Sequence, residues 1–224
     1  MNIKYQIKNL RTKLKENFQF KTYLFSLFSI FITIIFAIYN IYLGIIYNTG
    51  WNISIAIYYG FLIIIRTYIL YNENKLSKLN ISEYKIDMQK KLYLKQCIML
   101  FTIDLLLIAP ISIMVLGQKE VNYSTIPAIA TAAYTTCKMI LATKNALQAK
   151  KNNNLSIIML RNINLKDSLV AILSLQYILI MTFESETDNN MLIVSCISTF
   201  CIWILLIIIS IKTICKAIQI NKTK

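Results

Sequence analysis

Four residues carry charge inside stretches that are otherwise apolar: Arg66, Asp104, Lys138 and Asp167. Two are acids and two are bases, so they are able to neutralise one another. In a low-dielectric setting such groups pair as ions, relay protons or hold a charged solute. Hydrolytic chemistry fits less well. The chain has no His, which removes the usual general base, the commonest metal ligand and the near-neutral pH switch. Cys97, Cys137, Cys196, Cys201 and Cys215 form no C-x-x-C pair, and they read as small apolar fillers. No Walker A segment or dinucleotide fingerprint is present, and 4 Gly leave little room for a phosphate-cradling loop. An aspartyl pair sharing one proton is conceivable from Asp104 and Asp167. Neither, however, lies in the Tyr-Asp or Gly-x-Gly-Asp setting of the intramembrane aspartyl proteases. No catalytic residue, metal or cofactor is therefore expected, and the chain is not read as an enzyme.

The elements that position these charges follow from composition. Of 224 residues, 57% are hydrophobic and only 15% charged, and the mean hydropathy is +0.56. Soluble domains are less apolar and more highly charged. Six runs reach the roughly 20 apolar residues that cross a bilayer: 23–47, 51–71, 97–116, 123–143, 165–183 and 191–211. They are continuous rather than alternating, so helices are expected, not a β-barrel. The fold class is an all-α polytopic membrane protein, a six-helix transmembrane bundle. Residues 1–21 form a basic N-terminal segment, 22–216 the membrane domain and 217–224 a tail. A cleaved signal peptide is not expected, because the first apolar run is too long and no small-x-small site follows it.

Orientation follows from the basic residues. Residues 1–21, 72–96, 144–166 and the tail from Lys212 hold six, six, five and four Lys or Arg, 21 in all. The opposite loops hold Lys119 alone. This asymmetry predicts both termini in the cytoplasm of a multi-pass plasma-membrane protein. Glu120, Glu184, Glu186 and Asp188 fall on the outer side, where the last three read as a solvated acidic turn. The Asn-x-Ser matches at Asn52 and Asn122 are read as chance in an Ile-, Asn- and Lys-rich chain. A net charge of +14, divided among four loops, reads as topology and attraction to an anionic inner leaflet rather than nucleic-acid binding.

Counted from their predicted cytoplasmic ends, Arg66 and Lys138 lie five residues deep, Asp104 seven and Asp167 two. All four therefore fall in the cytoplasmic half. Asp104 has only apolar helical neighbours, so a cation on another helix is expected to meet it. Arg66 is the first candidate and Lys138 the second; snorkelling is the alternative for both bases. Ser124, Thr131, Thr135, Lys138 and Asn145 make a polar stripe, with Ala128, Ala132 and Ala142 keeping that helix slim. Asn164, Asp167, Ala171 and Ser174 make another, and Gln176 sits on the opposite face. Two arrangements accommodate these stripes. Either spans two to five surround a polar vestibule open to the cytoplasm, or the same residues form a buried network that fixes helix register.

Outside the spans, Ile3, Ile7, Leu10, Leu14 and Phe18 repeat at helical spacing, with Lys4, Lys8, Arg11 and Lys15 mostly off that face. This predicts an interfacial helix on the membrane surface, the alternative being a soluble leader that keeps the N-terminus inside. Ser82 is placed to cap a helix beginning at Glu83, with Asp87 set to pair with Lys90 or Lys91. The third span would then be a helix of about 34 residues, on the order of 50 Å, projecting far enough either to dock a partner or to serve as a solvated charged connector. Pro110 is expected to bend that span, whereas Pro127 falls where a first helical turn tolerates proline.

Three segments resemble a group of bacterial six-span proteins with no assigned activity. They are Ile57-Tyr-Tyr-Gly with Arg66, Ala133-Tyr-Thr-Thr-Cys-Lys138, and Arg161-Asn-Ile-Asn-Leu with Asp167-Ser-Leu-Val-Ala-Ile-Leu-Ser-Leu-Gln176. The resemblance covers spans two, four, five and the last helix, and fades across 72–96. It implies membrane localisation and a similar bundle, and nothing chemical. The functional expectation is a transporter or permease-like protein with a cytoplasm-facing polar vestibule. The alternative is a non-catalytic membrane subunit (sensor, immunity or scaffold) that binds a partner protein or a second copy.

Overall fold

The computed structural model describes residues 18–77, 82–116, 125–148, 155–183 and 189–222. Lys4, Lys8, Arg11, Lys15, Lys119, Glu120, Asn122, Ser124, Glu184, Glu186 and Asp188 lie outside the described residues, as do the side chains of Ser82 and Asn145. Every regular element among the described residues is a helix. In chain order these are α1 (Phe18–Ile46), α2 (Gly50–Ser77), α3 (Ser82–Leu106), α4 (Ile108–Leu116), α5 (Thr125–Gln148), α6 (Leu155–Phe183) and α7 (Asn189–Lys222). Among the described residues, five segments are long and apolar enough to cross a membrane: Leu24–Ile46, Gly50–Leu76, Ile86–Ile113, Leu155–Thr182 and Cys196–Lys222. The described residues are thus all-helical, with the make-up of a multi-pass membrane protein.

Each departure from the expected boundaries has a local cause. The third expected span is a pair of helices, α3 and α4, broken at Leu107. Pro110 has no N–H for the carbonyl of Leu106, and its ring crowds that carbonyl; α3 ends at Leu106 for that reason. The helix resumes with Ile111 N–H donating to the Leu107 carbonyl at 3.3 Å. Helix α6 begins at Leu155, ten residues before the expected span, because the Asn- and Arg-containing stretch before Leu165 is helical too. Helix α5, the expected fourth span, is 24 residues long but is not among the five apolar segments. Lys138 and the threonines at 131, 135 and 136 lower its hydropathy.

Beside its apolar core the bundle buries polar side chains and leaves large apolar ones on its outer surface. Phe28, Phe31, Ile38 and Ile45 of α1 are exposed, Ile45 by 71%, while Ser26, Ser29, Thr33 and Asn40 of the same helix are buried. Hydrocarbon outside and polar groups inside is the arrangement a bilayer favours. The most extensive packing joins α5 to α6, α1 to α2 and α3 to α7. Helix α6 also touches α1, α2, α3 and α7, which puts it at the centre. Aromatic rings fill the space around it: Trp51 stacks on Tyr177 at 4.8 Å, and Phe36 on Tyr134 at 3.6 Å.

The hairpin between α1 and α2 is tightly specified. Asn48 has φ of 50°, a left-handed conformation that asparagine tolerates at a helix end. The Thr49 N–H then donates to the Gly44 carbonyl at 3.0 Å, and the Asn52 amide donates to the Thr49 hydroxyl at 2.8 Å. A Cβ on Gly44 would stand 2.6 Å from Cγ1 of Ile53, closer than packed atoms allow. Gly44→Val is therefore expected to lower stability by about 1–3 kcal/mol through overpacking. Thermal unfolding of the purified chain in detergent checks this, and an unchanged midpoint would contradict the close approach.

Candidate functional site

Asp167 is the centre of the main polar cluster. Its carboxylate is fully buried and a single oxygen, Oδ2, takes two cations from two different helices. Lys138 Nζ of α5 donates to it at 2.5 Å. Arg66 Nη2 of α2 donates to it at 3.3 Å. The hydroxyl of Thr33, on α1, lies 3.4 Å from the same oxygen, and the Tyr134 hydroxyl donates to Oδ1 at 3.4 Å.

The cations are themselves held by a shell of neutral acceptors. Arg66 donates through Nη1 to the Ser29 hydroxyl at 2.7 Å and through Nη2 to the Asn164 side-chain carbonyl at 2.9 Å. Lys138 donates to the hydroxyls of Thr33 at 2.7 Å and Ser29 at 3.3 Å. Its ammonium also stands 5.3 Å from the centre of the Tyr134 ring, a favourable cation–π distance. Arg66 and Lys138 are only 1% and 3% exposed. Snorkelling to an interface is thus excluded for both; they are inward-facing partners of one carboxylate.

The second cluster lies across α6. Lys166 Nζ donates to Asp104 Oδ2 at 2.5 Å, and Ser210 of α7 hydrogen-bonds to both groups. The Trp203 indole N–H donates to the backbone carbonyl of Asp104 at 3.0 Å. The expectation that Arg66 or Lys138 would meet Asp104 is therefore corrected. Both bases are taken by Asp167, and the partner of Asp104 is Lys166. The reason is angular. Consecutive residues on a helix point about 100° apart, so Lys166 and Asp167 address different neighbours, α3 with α7 and α1 with α2 and α5.

Lys166 escaped the sequence reading because it was counted among the cytoplasmic loop residues. Its signal was adjacency to Asp167 at the edge of an apolar run. Ser29 and Thr33 escaped as well, although Ser26, Ser29 and Thr33 mark one face of α1 at helical spacing. Of the remaining expected residues, Thr135 is buried and donates across to the Ala171 carbonyl at 3.0 Å. Thr131 is buried, and its hydroxyl has no partner among the described residues. Gln176 stands apart from both clusters and donates to Ser198 of α7 at 3.1 Å, as its place on the opposite face of α6 implied.

The cytoplasm-facing vestibule is not the arrangement seen. Arg66, Asp104, Lys138, Lys166 and Asp167 are each at most 3% exposed. A crevice beside the second cluster, lined by Cys97, Leu100, Asn162, Lys166, Ser210 and Thr213, leaves no space for a water molecule. The described residues form the alternative, a closed ionic network. No group of three or more potential metal ligands occurs among them.

The Asp104–Lys166 pair makes a direct energetic prediction. Removing one partner strands a buried charge, which typically costs about 3–5 kcal/mol, whereas replacing both with apolar residues is often nearly neutral. Asp104→Leu and Lys166→Met are each expected to destabilise by that amount, and the double variant to recover most of the loss. Denaturation of all four proteins in one detergent decides it; additive losses in the double variant would disprove the pairing.

Comparison with protein-family models, with curated proteins and with solved structures finds no match to this chain.

Proposed function

We propose that this is a six-span plasma-membrane protein, both termini cytoplasmic, that moves a small solute by rearranging its helices around Asp167. In this reading α5 is the fourth of the six spans, added to the five apolar segments, its polar face sheltered against α6. Membership of the bacterial six-span group belongs to the same proposal and rests on the segments quoted for it.

The observation that carries the reading is the carboxylate oxygen shared by Arg66 and Lys138. Ionisable groups inside a membrane are expensive, and they concentrate where solutes or protons pass. A structural role needs only one cation per carboxylate, as Asp104 and Lys166 illustrate on the other side of α6. Here two cations compete for one acid, and a protein that must alternate between two packings benefits from such a shared contact. The dehydrated cluster then corresponds to an occluded state, and the break at Leu107 gives the α3–α4 span a place to bend.

A second reading is favoured by a separate observation. The start of α3 and the end of α7 pack together, with Ala217 fully buried and the Asn221 amide donating to the Lys90 carbonyl at 3.4 Å. This pair of helices leaves Lys91, Lys95, Lys212 and Lys216 exposed, a basic surface suited to an acidic partner protein. On that reading the chain is a non-catalytic membrane subunit.

Reconstitution separates the two. Proteoliposomes on a solid-supported membrane are challenged with a panel of inorganic ions, amino acids and small organic acids. At least one is expected to evoke a current or labelled uptake that falls by at least about tenfold, some 1.4 kcal/mol, in Asp167→Asn, with size-exclusion behaviour preserved. Absence of any response to the panel, or an unaltered response in Asp167→Asn, would count against transport.

A further inference from the structure

The formal charges of the two clusters differ. Asp104 and Lys166 balance each other. Around Asp167, two positive groups face one negative group, leaving an excess of one positive charge. The other described acidic side chains do not supply it: Glu73 accepts from Ser156 at 2.5 Å, and Asp87 pairs with Lys91 at 2.9 Å along α3. An unbalanced cation in a dehydrated apolar interior is strongly disfavoured. A second observation indicates where the missing charge belongs. Arg66 is 1% exposed, and its Nε–H has no acceptor among the described residues. The guanidinium therefore keeps one donor edge unused while its other nitrogens are engaged.

We propose that Arg66 and Lys138 form the binding site for one small monovalent anion, seated against the Nε edge of Arg66. The anion completes the charge balance of the cluster, two cations against Asp167 and the ligand. A halide, nitrate or a short carboxylate has the size and charge the site takes; a divalent anion over-neutralises it. The donors lie inside the bundle at 1–3% exposure, so phospholipid headgroups do not reach them. Space comes from parting α1, which meets the two cations through the short side chains of Ser29 and Thr33 and closes beside them through Phe36 on Tyr134. Asp167 and the anion draw on the same two cations, so the carboxylate holds the affinity down and favours release. The proposal names the solute class for the transport reading and, in calling the anion a substrate, rests on it; binding itself is measured separately.

The test uses the full chain in neutral detergent at constant ionic strength, with gluconate replaced stepwise by chloride, nitrate or formate. At least one of these anions is expected to raise the unfolding midpoint by roughly 5 °C at about 100 times its Kd. In Asp167→Asn, where competition for the cations is relieved, the apparent Kd is expected to fall by about tenfold. In Lys138→Met, where the excess charge is gone, the anion-dependent shift is expected to vanish. Equal midpoints in all anions for both the wild-type chain and Asp167→Asn would overturn the proposal, and so would an undiminished shift in Lys138→Met. If Lys138→Met does not fold, the wild-type and Asp167→Asn titrations decide. Anion binding without flux defeats the transport reading alone. Flux of a cation or neutral solute with no anion-dependent shift defeats the anion site alone.

Discussion

A carboxylate in the middle of an apolar bundle is tolerable only if cations come to it, and Asp167 draws two. Lys138 and Arg66 converge on the same oxygen at 2.5 and 3.3 Å, each from its own helix. Much of the packing around α6 follows from that requirement. Helix α5 is too polar to qualify among the apolar segments, yet its Lys138 and Thr135 face has a place because α6 offers Asp167 and the Ala171 carbonyl. Helix α1 is almost wholly apolar on its outer side and supplies Ser29 and Thr33 on its inner side as acceptors for both cations. The stacked rings of Phe36 and Tyr134 close α1 against α5 beside them.

The adjacency of Lys166 and Asp167 makes α6 the point where the two halves of the polar interior meet. One residue turns to Asp104 and Ser210, the next to Arg66 and Lys138. Rotation of α6 by a single residue would break both sets together. Buried ion pairs contribute little net stability against apolar replacements, but they penalise wrong registers severely. A shifted register would strand these buried charges, and the unbalanced charge around Asp167 is a feature that register alone does not explain.

Some of this was legible beforehand and some was not, for definite reasons. Arg66, Lys138 and Asp167 stood out because an ionisable residue in an apolar run is conspicuous whatever its partner. Pro110 announced a bend because the missing N–H acts locally, and Asp87 announced Lys91 because four residues on a helix surface are neighbours. Lys166 was hidden by the edge of its span: a cation a few residues from a predicted boundary looks like a loop cation. Ser29 and Thr33 were hidden because hydroxyl groups satisfy themselves on the preceding turn, as Thr33 also does on the Ser29 carbonyl at 2.7 Å, and so cost little anywhere in a span.

The order of residues alone decided that the chain is helical, apolar enough for a bilayer, and burdened with a few interior charges of both signs. These are consequences of composition and local periodicity, which need no knowledge of neighbours. Which acid meets which base was decided only in three dimensions. Asp104 and Asp167 are alike as isolated carboxylates, and the direction each faces depends on helix rotation and on which helix packs alongside. The same is true of closure: the stripes of polar residues are equally compatible with a water-filled vestibule and with a dry network. Only the way α1, α2, α5 and α6 pack around one carboxylate selects the dry one.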